Sequence, residues 1–119
     1  MNEIVLVVED VKDFLELTVG KANCWYTVDF LDGEAILTIL CESKSRVGGF
    51  VVYKIKRLVN GEILDNLEKY YDTDFGEGSF EDRAYRACTF IFSSFIEELR
   101  ELGIKVRRGR YFIGLKPLF

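Results

Sequence analysis

Residues 24–42 form two runs of alternating side chains on either side of Asp32-Gly33, and no other segment constrains the fold as strongly. Asp-Gly suits the positive φ angles of a two-residue type I′ turn. Side chains in a strand alternate with a period of two, so such a turn fixes which residues meet across the hairpin. Leu31 is paired with Glu34. Tyr26 then faces Ile39, Val28 faces Leu37 and Phe30 faces Ala35, an apolar set read as the core face. The other face pairs Trp25 with Leu40, Thr27 with Thr38 and Asp29 with Ile36. The same count sets Cys24 opposite Cys41 in a non-hydrogen-bonded pair. Cα atoms in such pairs approach to about 4.5 Å, within reach of a disulfide.

The remaining segments are read against this hairpin. Ile4 to Val8 is β-branched and strand-like, leading into a helix capped by Asp10 and ending at Gly20, although a single helix from about residue 3 fits the same spacing. Phe50 to Val59 alternates as a third strand, with Lys54 and Lys56 turned from the core. After Asn60-Gly61, the spacing of Ile63, Leu64, Leu67, Tyr70 and Tyr71 predicts a short helix. Ser79 is a good N-cap for a long helix from about Phe80 to Leu102, stopped by Gly103. Its apolar stripe (Ala84, Cys88, Ile91, Phe95, Leu99 and Leu102, widened by Tyr85, Phe92 and Ile96) is broad enough to pack on a sheet and a second helix, or on a partner subunit. Ile104 to Leu115 reads as one or two strands. The expectation is a single α+β domain over residues 1–119, an antiparallel sheet of about four strands packed on two or three helices.

Composition narrows the chemistry. The chain has no histidine, so it lacks the commonest general base and the commonest zinc ligand. Its three cysteines cannot supply the four ligands of a structural zinc site. No phosphate loop, nucleophile elbow or dinucleotide fingerprint is present. The reading is a protein that is not an enzyme and carries no cofactor and no metal. No apolar run approaches about 18 residues, and the opening Met1-Asn2-Glu3-Ile4 lacks a positive n-region, so a cytoplasmic protein with no membrane role is expected. The absence of glutamine, a single methionine and abundant Glu, Lys and Arg match thermophile composition and point to an archaeal-type source.

Charge is distributed unevenly. Lys105 to Phe119 carries five basic side chains and no acidic one, while the preceding 104 residues hold eleven basic and twenty acidic residues. A basic, aromatic segment at residues 105–119 would attract phosphates. Together with the sheet face carrying Trp25, Lys54 and Lys56, it predicts a surface that stacks bases and pairs phosphates, as single-stranded nucleic acid requires. The candidate contacts are Trp25, Lys54, Lys56, Arg107, Arg108, Arg110, Tyr111 and Lys116. The alternative is an interaction or scaffold domain. Fourteen percent aromatics, the wide helical stripe and the apolar ending Tyr111-Phe112-Ile113, Leu115 and Leu118-Phe119 would be buried by a homo-oligomer.

Asp29 stands thirteen residues before Glu42-Ser43-Lys44, with Glu9 or Glu16 upstream. This pattern resembles the restriction-enzyme-like nuclease superfamily, especially archaeal junction resolvases. The resemblance covers about thirty-five residues and implies carboxylates that hold Mg²⁺ and a lysine that helps activate water. The hairpin register nevertheless sets Asp29 opposite Ile36, six residues and roughly 20 Å from Glu42, too far for one ion. Asp72 to Glu77 hints at a calcium loop, but the EF-hand pattern needs glycine at the sixth position and glutamate at the twelfth, where Glu77 and Arg83 stand.

Overall fold

The computed structural model describes residues 4–109. In chain order it contains β1 (Val5–Val8), α1 (Val11–Leu17), β2 (Lys21–Leu31), β3 (Glu34–Lys44), β4 (Phe50–Val59), α2 (Gly61–Tyr70), α3 (Phe80–Glu101) and β5 (Lys105–Arg108). The strands form one sheet in the order β1-β4-β3-β2-β5. As expected, this is a single α+β domain with a helix layer on a largely antiparallel sheet. The long central strands β2, β3 and β4 are antiparallel, and each outer edge carries a four-residue strand that pairs in parallel, β1 on β4 and β5 on β2.

The hairpin follows its turn. Asp32 and Gly33 both take positive φ, 52° and 75°, as a type I′ turn requires. The register runs unbroken from Leu31 opposite Glu34 to Asn23 opposite Glu42. Tyr26, Val28, Ile39, Leu37 and Ala35 therefore face the helices, and Cys24 and Cys41 are bonded to each other on that same side.

Helix ends are set by local hydrogen bonds. Asp10 caps α1 by accepting from the Lys12 N–H at 2.7 Å. The helix stops at Leu17, short of Gly20, because its C-terminal neighbours are drawn onto the sheet. Thr18 forms a β-bridge with Ser45, its hydroxyl bonds that of Ser43, and the Val19 N–H donates to the Lys44 carbonyl. Asn60 caps α2 through the Ile63 N–H at 2.9 Å. Ser79 and Asp82 form a reciprocal capping box at the start of α3, satisfying two otherwise orphaned donors. At the far end, the Ile104 N–H reaches the Leu99 carbonyl and the Gly103 N–H reaches that of Arg100. This is a Schellman turn with Ile104 and Leu99 both buried in the main core, and it aims the chain into β5.

All three helices lie on one face of the sheet. Phe14 of α1, Leu64 of α2 and Phe92, Ile96 and Leu99 of α3 share one core with Leu37, Ile39, Val51 and Val59. The Tyr26 and Phe92 rings stack with centroids 4.5 Å apart, and Tyr53 and Phe95 at 5.4 Å. Ala84, Cys88, Phe92, Ile96 and Leu99 of the α3 stripe are buried where the helix meets β2, β3 and β5 on one side and α2 on the other, while Tyr85 and Leu102 stay exposed. Among the described residues, no helix packs on the second face, and none is long and apolar enough to cross a membrane.

Candidate nucleic-acid interface

Alternation along β2, β3 and β4 projects a second set of side chains away from the helices. The paired registers order it into rows: Trp25, Leu40 and Lys54, then Thr27, Thr38 and Lys56. These six line one shallow pocket. Trp25 is partly exposed and packs on buried Leu40, which with Val52 and Val5 forms a small apolar cluster separate from the main core. Lys56 is exposed and Lys54 partly so. Three of the candidate contacts read from the sequence are thus brought together.

The two described arginines of the basic segment diverge. Arg107 lies in register with Asn23 on the second face and is exposed. Arg108, one residue on, projects to the helix side. Its guanidinium lies 5.6 Å from the Phe92 ring centroid and donates to the Ser93 hydroxyl at 3.3 Å. The cause is the two-residue period of β5, which sends adjacent side chains to opposite faces. Arg110, Tyr111, Lys116 and the apolar ending lie outside the described residues.

Three further lysines, far apart in sequence, belong to the second face. Lys105 of β5 stands directly opposite Lys21 of β2, and Lys44 closes β3 at the same end of the sheet. With Asn23 and Arg107 they line a cleft of about 640 Å³. Only the parallel pairing of β5 with β2 assembles this cluster. The sequence carried the basic character of Lys105 and Arg107 but nothing that named β2 as their neighbour.

Charge is thereby separated by layer. The second face holds Lys21, Lys44, Lys54, Lys56, Lys105 and Arg107 against the strand carboxylates Asp29, Glu34 and Glu42, with Glu9 beside Lys54 and Lys56 at its β1 edge. Residues 60–101, which build α2, α3 and their connection, hold eleven acidic and four basic residues.

Asp29 pairs with Ile36, whereas Glu42 pairs with Asn23 and Val52 and is 1 % exposed. Six residues along one strand span about 20 Å, so Asp29 and Glu42 do not share an ion. Phe50–Val59, the next element after the strand that carries Glu42-Ser43-Lys44, is β4. In the acidic loop, the Asp74 carboxylate accepts from the Gly76 N–H, and Arg86 occupies the carbonyls of Phe75 and Glu77. No group of three metal-ligating side chains occurs among the described residues.

No protein-family model, curated protein or solved structure matches this chain.

Proposed function

We propose that this domain binds single-stranded nucleic acid across the second face of its sheet. The observation that carries the reading is the shared row and pocket of Trp25 and Lys54, with Lys56 in the next row and the other cations along the same face. A partly exposed indole offers a stacking platform to an unpaired base, and lysines and arginine at strand spacing meet successive phosphates. An unpaired strand is favoured over duplex because stacking needs a free base face.

The net charge of −4 does not oppose this, because the acids are concentrated in the helix layer. At about 0.1 M salt the screening length is about 10 Å, so a phosphate at the second face responds mainly to the cations beside it.

Titrating a labelled 12-mer single strand at rising salt tests the proposal, with emission from the one tryptophan followed in parallel. Six engaged cations give a slope of log K against log salt of about −4, accompanied by quenching of Trp25. Binding that ignores salt, or bound strand that leaves Trp25 emission unchanged, overturns it. Added Mg²⁺ is expected to leave the strand intact. Cleavage would return the nuclease reading in its place.

A further inference from the structure

Like charges directly opposite each other on neighbouring strands are destabilising, yet Lys21 and Lys105 are paired in register at one end of the sheet. Lys44 adds a third ammonium at that end, tied to the same corner through the Val19 N–H to Lys44 carbonyl bond. Arg107 adds a fourth cation, two residues along β5 from Lys105. All four are exposed, and none makes an ion pair among the described residues. They line one cleft whose other lining groups, among the described residues, are apolar or the Asn23 amide, with no carboxylate. Local arrangements that oppose stability are expected at functional positions.

We infer that this cleft is a binding site for a phosphate monoester, the terminal phosphate of the strand held on the second face. This rests on the nucleic-acid reading and adds to it a polarity, in which the chain end sits between β5 and β3 while the interior nucleotides run toward Trp25. An internal phosphodiester carries one negative charge and matches one cation. A terminal monoester carries up to nearly two and offers three oxygens to the ammonium and guanidinium groups that line the cleft. The cleft, at about 640 Å³, falls in the range of small-ligand sites and admits a terminal nucleotide with its phosphate. Asn23, in register with Arg107, places an amide on the cleft floor able to donate to a phosphate oxygen. The Lys21–Lys105 repulsion is then relieved by the ligand.

The test compares one 12-mer carrying a 5′-phosphate, a 3′-phosphate or hydroxyls at both ends, with inorganic pyrophosphate as a separate probe. A phosphorylated end is expected to bind about tenfold more tightly than the hydroxyl strand, and millimolar pyrophosphate should erase that advantage. In Lys21→Ala/Lys105→Ala the strands should bind alike. With the like-charge pair removed, that variant's melting temperature at low salt should equal or exceed the parent's, so weakened binding cannot be ascribed to misfolding. Equal binding of all three strands by the parent overturns the terminal-phosphate site and leaves the face reading standing. Stabilisation by pyrophosphate without any strand preference assigns the cleft to free phosphate and overturns the strand-end assignment. Failure of every strand to bind overturns the nucleic-acid reading and this site with it.

Discussion

Cys24 and Cys41 are bonded across the β2–β3 hairpin with their Cα atoms 4.1 Å apart, both fully buried on the helix side of the sheet. The link closes a sequence separation of 17 residues, and a loop of that order confers about 3 kcal/mol by restricting the unfolded chain. Replacing both cysteines with alanine is expected to lower the unfolding free energy by about that amount while preserving the fold. Denaturant titration of the double variant, and of the parent with and without reductant, measures it. A hairpin of unchanged stability would show that the turn and packing suffice.

The third cysteine, Cys88, lies fully buried in α3, and burial pushes its thiol from an ordinary 9.0 up to about 11. Since the thiolate is the reactive form, native protein at pH 8 should give no reaction with a thiol reagent, and unfolded, unreduced protein should give one thiol per chain. The same shift fixes a pH dependence. Below about pH 9 the thiol is protonated whether the chain is folded or not. Between about 9 and 11 the unfolded chain releases a proton that the folded chain keeps, so stability falls as pH rises through that window. Cys88→Ala should flatten that decline when unfolding is followed from pH 8 to 11.

Local chemistry was legible in the sequence, and lateral assembly was not. Asp32-Gly33 wrote the complete β2–β3 register, and Asp10 and Ser79 marked two helix starts, because caps and turns are decided within a few residues. Two caps were not legible: Asn60, which with Gly61 reads equally as a turn, and Asp82, the second half of the α3 box, for which glutamate or glutamine is the usual signature. The parallel edges were beyond local inference. Nothing in Lys105–Arg108 distinguishes β2 from any other strand as its neighbour, and that choice depends on where α3 leaves the chain. The site divided accordingly. Trp25, Lys54 and Lys56 followed from alternation, whereas the Lys21, Lys44 and Lys105 cluster depended on a pairing made across the whole chain.

Gly49 offers a separable test of how β1 is held. Its φ is +71°, and a Cβ there would overlap the Ile4 carbonyl, the group that accepts from the Phe50 N–H at 2.8 Å. Gly48 has φ +99° but open space around its Cβ position. Gly48→Ala should therefore cost only the conformational strain, about 1 kcal/mol, and Gly49→Ala about 2–3 kcal/mol. Hydrogen exchange should localise the difference, with the Val5–Val8 amides losing protection in Gly49→Ala only.

Arg107 and Arg108 are adjacent in sequence and identical in chemistry, so they isolate the effect of the face each projects from. Arg107 stands on the second face beside Asn23, where an engaged guanidinium contributes about 0.7 to the salt slope for a single strand. Arg108 lies over Phe92 and bonds Ser93. Its exposed position makes that cation–π contact worth about 0.5–1 kcal/mol. Arg107→Ala should reduce the slope by about 0.7 with no change in unfolding free energy, and Arg108→Ala should do the reverse, losing up to about 1 kcal/mol of stability at an unchanged slope. Paired salt titrations and denaturant melts on the two variants measure both quantities. Equal loss of slope in both would mean that binding responds to total charge in the segment rather than to one face of the sheet, and the interface assigned to Trp25, Lys54 and Lys56 would fall.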